Sequence, residues 1–224
     1  TDASFTGDPA AVAPSGDEIV YLCGVMSEYF RAAVSPADVV WAFAGVRSLY
    51  DDGAGKPQDI GREYTLVLDE RFGEAPLLTV YGGKITTYRR LAEDVLDRLA
   101  HFFPRSERWT AQRPLPGGDF PHDGVDALVE QTLRRWPFLS DDHARRLTRA
   151  YGTRVENVLK DASGIDDLGQ RFGADLTAAE VRYLMDREWA RTADDVLWRR
   201  SKLGLRLSAA QRDQLEDFMG AANR

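Results

Sequence analysis

The chain has 224 residues, of which 43% are hydrophobic and 29% charged, and a formal net charge of −7 at pH 7. That balance suits an ordinary globular protein of one large domain or two small ones, and its acidity argues against general nucleic-acid binding. The single cysteine, Cys23, excludes an intrachain disulfide and suits a reducing compartment, and no apolar run reaches the ~18 residues that a membrane span needs.

Residues 1–16 are rich in Gly, Pro, Ser and Ala and read as a loop. With Thr1 in place of a methionine and no signal peptide, the start reads as that of a fragment or a processed product. Asp17 suits a helix cap for Glu18–Ala33, where Ile19, Leu22, Val25, Met26, Tyr29 and Phe30 recur at helical spacing. Cys23 within it reads as a small buried hydrophobe. Val39–Phe43 suit a buried strand that ends near Gly45, and the polar "DDGAGKPQD" (51–59) reads as a loop. "REYTLVLDE" (62–70) and "LLTVYGGK" (77–84) form a predicted strand pair around the turn "RFGEAP", and a helix is predicted from Ile85 to about Phe103.

The composition then shifts to Pro and Gly, and helices are predicted over 124–136, 140–150, 153–161, 177–199 and 208–219. Breaks fall at Gly152, Gly164, Gly169, Gly173 and Gly204. No internal repeat or low-complexity tract stands out. The predicted fold class is α+β. A partial β-sheet with flanking helices occupies 1–104, a linker 105–123, and an all-helical C-terminal cap domain 124–224.

Gly82-Gly83-Lys84 is the most specific chemical feature. A strand, two glycines and a helix start together put free backbone N–H groups and a positive helix end at one point, which attracts anions. The spacing is not G-x-x-x-x-G-K, and G-x-G-x-x-G occurs nowhere. The plainer reading is a tight turn that needs positive φ. Arg47 follows the predicted strand end at Gly45, and Arg62 precedes a strand. If Arg47, Arg62 and Lys84 converge, they would bind a phosphate or carboxylate, the arginines through a bidentate fork. Otherwise they are three separate solvated charges.

His101, His122 and His143 lack metal-ligand spacing and read as surface or capping residues. "DDVLWRRSKLGL" (194–205) reads as a helix end stopped by Gly204 and packed through Leu203 and Leu205.

"WAFAGVRSLYDD", "REYTLVLDE", "LLTVYGGKITTYRRLAE" and "DDVLWRRSKLGLRLS" together resemble the C-terminal part of the FAD-dependent, aerobic glycerol-3-phosphate dehydrogenases. The likeness runs across essentially the whole chain, with Thr1-Asp2 similar to the end of that family's Gly-Thr-Thr-Asp segment. Ser48 stands where Pro is common, and Ser201 where Thr is common. The large departure is the N-terminal flavin domain, with its G-x-G-x-x-G, which this sequence does not contain.

The resemblance implies oxidation of sn-glycerol 3-phosphate to dihydroxyacetone phosphate, with a hydride equivalent passed to FAD and electrons onward to a quinone. It implies that Gly83, Lys84, Ile85 and Thr86 sit beside the flavin ring, with N–H groups aimed at its C2 carbonyl. Arg47 would flank flavin and substrate, Lys84 would also lie near the substrate, and Arg62 would grip the phosphate. Arg47 and Lys84 are thus the implied catalytic residues, and the cap carries none. It further implies a bacterial cytoplasmic enzyme, peripheral on the inner membrane face, a homodimer, and no nucleic-acid partner.

Three alternatives remain open from the residues. One is the oxidase branch, with oxygen as acceptor. Another is a non-catalytic helical interaction module, and the third an amine oxidase of related fold. Without the flavin domain, unpaired sheet edges and an apolar flavin-facing surface are expected to be exposed. The 224-residue chain alone is expected to be inactive, and dye reduction dependent on glycerol 3-phosphate by the pure chain would overturn that expectation.

Overall fold

The computed structural model describes residues 3–48, 50, 61, 63–104 and 107–222. The chain divides into two compact units, Thr1–Arg113 and Pro114–Arg224. The predicted loop at 51–59, Arg62 and Thr1-Asp2 lie outside the described residues.

In the first unit, helix α1 spans Gly16–Tyr29. Its cap is Ser15, not Asp17. The Glu18 N–H donates to Ser15 Oγ at 3.2 Å while the Ser15 N–H donates to the Glu18 carboxylate at 2.9 Å, so two orphan donors are satisfied reciprocally. The helix also stops short of the predicted Ala33. Ser27 Oγ accepts from the Val34 N–H at 2.9 Å and donates to the Cys23 carbonyl, turning the chain back. Cys23 is buried.

The strand predicted over Val39–Phe43 does not form. Pro36–Asp38 is a 3₁₀ turn, and the run after it is irregular, with Val40 85% and Phe43 71% exposed. A strand needs a partner ladder, and among the described residues the sheet of this unit pairs only two strands, neither of them with this run. These are β1 (Tyr64–Asp69) and β2 (Leu77–Gly82), antiparallel, with Tyr64 opposite Gly82 and Asp69 opposite Leu77. Ile85–Thr87 then forms a 3₁₀ turn, and helix α2 runs over Tyr88–Arg98, ending before the predicted Phe103. Arg89–Glu93 and Arg90–Asp94 pair at i, i+4 along it.

The second unit contains α3 (Val125–Arg135), α4 (Asp141–Tyr151), α5 (Val155–Leu159), β3 (Arg171–Gly173), β4 (Leu176–Thr177), α6 (Ala178–Glu188) and α7 (Ala209–Ala222). It is helical except for the β3–β4 hairpin, which the sequence reading did not anticipate. Gly173 pairs with Leu176, so Ala174 and Asp175 form the loop, both at positive φ. A two-residue hairpin loop demands that conformation, but Ala-Asp is not the usual signal for it.

The helix predicted over 177–199 is broken. Trp189 takes the left-handed conformation (φ 58), and the Ala190 N–H bonds back to the Leu184 carbonyl. A π-helical turn follows over Asp195–Arg200. It ends before Gly204, where Ser201 Oγ donates to the Val196 carbonyl at 2.6 Å. Gly204 instead lets the Trp198 ring lie against the backbone, since a Cβ there would come within 2.5 Å of the indole. Leu203 is buried as expected, but Leu205 is 52% exposed.

Half of the predicted linker belongs to the second unit. The Thr153 N–H donates to the Gly117 carbonyl at 3.1 Å, and its hydroxyl donates to Asp119. The core lies among Leu147 of α4, Phe172 of β3, Val181 and Leu184 of α6, and Leu215 of α7, all essentially without solvent access. Glu180 is buried with them and tied to Arg146 and Tyr151.

His143 is buried, contrary to the surface reading, and its Nε2 has no hydrogen-bond partner among the described residues. Burial, followed by the nearby Arg146 cation, holds its pKa below the ordinary 6.5. The unfolded chain therefore binds this proton more readily than the folded one. Above about pH 6.5 the two states agree, and below it stability falls until the lowered folded pKa is passed.

Two outcomes are expected in thermal denaturation followed by circular dichroism. The second unit's melting point should drop as pH falls through about 6.5, and His143→Leu should flatten that slope. Gly152 closes α4 at φ 56, and a Cβ there would overlap the Gly117 carbonyl oxygen. Gly152→Ala should therefore destabilise the second unit by more than about 3 kcal/mol.

Candidate functional site

Strand β2 ends in two residues of left-handed backbone, Gly82 (φ 68) and Gly83 (φ 91). Both positions are also crowded. A Cβ on Gly82 would sit 3.3 Å from the Glu63 carbonyl oxygen, 3.5 Å from the Tyr50 nitrogen and 3.7 Å from the Ser48 oxygen, and one on Gly83 would meet Tyr64 Cβ at 3.1 Å. The tight-turn reading of this pair therefore holds, and the turn is also a point of close approach between three stretches of chain.

Lys84 follows in extended conformation (φ −106, ψ 147) and precedes the 3₁₀ turn. The Thr87 N–H and hydroxyl both donate to the Lys84 carbonyl, at 3.0 and 2.8 Å. The N–H groups of Ile85 and Thr86 come before that first bond, so the turn itself offers them no acceptor. Ile85 is 86% exposed, and the Lys84 ammonium makes no ion pair among the described residues. Among the described residues, the tip therefore presents backbone donors without an acceptor in the turn, beside a cation.

Arg47 is exposed and directly precedes Ser48, whose carbonyl lies against Gly82. Tyr50, three residues on, sets its ring 5.6 Å from that of Tyr81 in β2. The fold thus brings the Arg47 stretch to the same end of the hairpin as Lys84. Arg62 lies outside the described residues; its neighbour Glu63 sets its carbonyl at Gly82.

Sequence reading missed the brace behind this tip. The Tyr64 hydroxyl donates to the Asp94 carboxylate, and Arg90 lies 3.1 Å from the same group. The Tyr64 bond, assisted by Arg90, holds the Asp94 carboxyl below the usual carboxylate range and pushes the Tyr64 phenol up. Arg90 and Asp94 are legible as an i, i+4 pair, but Tyr64 is 30 residues away and carries no local signal. The brace fixes α2 against the strand that borders the glycine turn. Among the described residues, no group of three His, Cys, Asp or Glu side chains is placed to hold a metal ion, and no helix is long and apolar enough to cross a membrane.

Gly83→Ala should lower the first unit's stability by about 1–3 kcal/mol, read from chemical denaturation, because it combines strain at positive φ with the contact at Tyr64. Gly45→Ala, with open space where its Cβ would go, should be tolerated.

Residues 108–221 match the family model described as the C-terminal domain of alpha-glycerophosphate oxidase. The chain is 47% identical over 220 residues to a glycerol-3-phosphate dehydrogenase of Pseudomonas aeruginosa, a match covering 98% of this chain and 43% of that protein. It is 43% identical over 220 residues to the aerobic glycerol-3-phosphate dehydrogenase of Escherichia coli, covering 98% of this chain and 44% of the relative. A D-erythritol 1-phosphate dehydrogenase of Brucella abortus is 41% identical over 224 residues, 100% of this chain and 44% of its own length. The chain spans less than half the length of each of these relatives. By the match of its second unit, it belongs to the family of the alpha-glycerophosphate oxidase C-terminal domain, as found in glycerol-3-phosphate dehydrogenases.

Proposed function

We propose that this chain supplies the substrate-side part of a flavin-dependent dehydrogenase that oxidises glycerol 3-phosphate to dihydroxyacetone phosphate and delivers electrons to a quinone. The observation that carries the reading is the hairpin end where Gly82-Gly83-Lys84 meets the stretch bearing Arg47, in a chain similar over nearly its full length to glycerol-3-phosphate dehydrogenases. The residues fit a flavin ring. Its carbonyl rim is a flat row of acceptors, and the tip offers the uncovered N–H groups of Ile85 and Thr86 behind a glycine with no side chain to bar approach.

FAD, when bound, supplies the hydride acceptor. The chain's own groups bind and orient. The Ile85 and Thr86 amides donate to the ring's acceptor rim, and Gly83 sets the distance of approach. Lys84 neutralises negative charge beside the ring and the substrate. Arg47 donates to the oxygen of the secondary alcohol, whose proton passes to a general base that this reading places in the rest of the enzyme as the carbon gives its hydride to FAD, and it holds the resulting ketone oxygen in the same place. Arg62 grips the phosphate with its bidentate fork. A homodimer peripheral to the inner face of the cytoplasmic membrane accompanies this reading. A second substrate is favoured by the Brucella relative, which is similar across the whole chain and is named for D-erythritol 1-phosphate.

The test mixes the purified chain with FAD and the N-terminal half of the Pseudomonas aeruginosa relative. A yellow, flavin-bearing complex that glycerol 3-phosphate bleaches is the expected result. Lys84→Ala and Arg47→Ala should each lower kcat/KM by about 10²–10³. Faster bleaching by D-erythritol 1-phosphate would move the substrate to the four-carbon polyol phosphate, and stoichiometric peroxide under air would replace the quinone by oxygen. Two folded partners that never retain flavin together would overturn the reading.

A further inference from the structure

The second unit carries a groove of about 800 Å³ between α5 and α6. That volume suits a small organic ligand. Its floor is apolar, formed by Val158, Leu159 and the buried ring of Tyr183. Its rim carries four cations, Arg154, Lys160, Arg182 and Arg187, against three carboxylates, Asp161, Asp167 and Asp186. Asp167 is occupied, accepting from the Ser163 N–H, the Ser163 hydroxyl and the Gly164 N–H at 2.7–2.9 Å.

None of the four cations makes an ion pair among the described residues. Six other arginines of this unit, Arg134, Arg135, Arg145, Arg146, Arg199 and Arg200, are paired with carboxylates, while Arg149, Arg171, Arg206 and Arg212 are not, so what marks the groove among the described residues is four unpaired cations gathered on one rim. The rim charges stand apart across an open space instead of closing on one another.

Lys160 makes the second, independent observation. It sits at φ 49, ψ −127, a conformation that glycine takes freely and that strains any other residue. The fold uses its backbone. The Lys160 N–H bonds to the Glu156 carbonyl at 2.8 Å, and its own carbonyl accepts from the Trp136 indole at 3.3 Å. Glycine would serve both bonds without strain. The side chain is the one thing that glycine would not supply, and Lys160 lines the groove.

We propose that this groove binds a small organic phosphate. The phosphate sits among Arg154, Lys160 and Arg187, and the organic body lies over Val158 and Tyr183. Three donors of this kind suit a phosphate group, and the apolar floor selects for a body beyond the phosphate itself.

The test follows amide chemical shifts of the 224-residue chain titrated with phenyl phosphate and, separately, inorganic phosphate. Saturable shifts centred on residues 157–163 and 179–187 are expected, with phenyl phosphate the tighter of the two. The double variant Arg154→Gln, Arg187→Gln should bind phenyl phosphate at least about tenfold more weakly, while Arg134→Gln should bind normally. Lys160→Gly should weaken binding and raise the melting temperature, because it removes strain and ligand contact together. The proposal is overturned by shifts that are absent or spread over the surface, by equal binding in the double variant, or by a Lys160→Gly chain that binds normally or melts lower. Equal affinity for the two probes overturns the organic body.

Discussion

Glu180 has no access to water, and the second unit is arranged around that fact. A bare carboxylate in such a place would cost several kcal/mol, so it must be fully bonded. Arg146 of α4 meets it with two N–H groups at 2.8 and 2.7 Å, and the Tyr151 hydroxyl adds a third bond at 2.7 Å. Arg146 also donates to the Asp175 carbonyl at 3.0 Å, which ties the β3–β4 turn to the same point. Burial alone would lower the Arg146 pKa, but the Glu180 carboxylate outweighs it and the cation stays charged. Burial and then Glu180 push the Tyr151 phenol far up, so it remains a donor. One carboxylate thereby fixes α4, α6 and the hairpin in register, and leaving it unpaired would cost about 3–5 kcal/mol.

The first unit is held differently. Cys23 is its one buried side chain among the described residues, while Tyr29, Phe30, Val40, Phe43 and Ile85 are all largely exposed. Its shape comes from local devices: the Ser15–Glu18 box, the Ser27 clasp on Val34, the β1–β2 ladder and the Tyr64–Asp94 bond. So much open apolar surface accords with the proposed reading, in which a longer protein packs further chain against these faces. The anion-binding role proposed for this unit falls at a hairpin tip. There the backbone turns sharply, and its N–H groups remain free of any ladder.

The candidate site was partly legible in the sequence. Two consecutive glycines after an alternating apolar run and before a helical pattern mark a turn with open donors, and Gly82 and Gly83 carry that out. Convergence with Arg47 was left open, since it depends on where Ser48 and Tyr50 pass Gly82, a contact between residues more than 30 positions apart. The brace at Asp94 is equally non-local.

The same division runs through the whole chain. Sequence alone determined what depends on near neighbours: the β1–β2 pair, from period-two alternation around a turn, and the helices α3, α4 and α7, from apolar spacing and caps. It also carried the family, since the motifs are strings of adjacent residues. Only the tertiary structure decided the rest. Val39–Phe43 has the composition of a strand but no partner strand among the described residues. His143 has the composition of a surface helix start but is buried beside Arg146. The 177–199 pattern is continuous, yet Trp189 turns left-handed because the chain must fold back to pack Ala190 and Val196 into the core. Strands, burial and helix breaks of this kind are set by partners distant in the chain, and no window of sequence contains both members of such a pair.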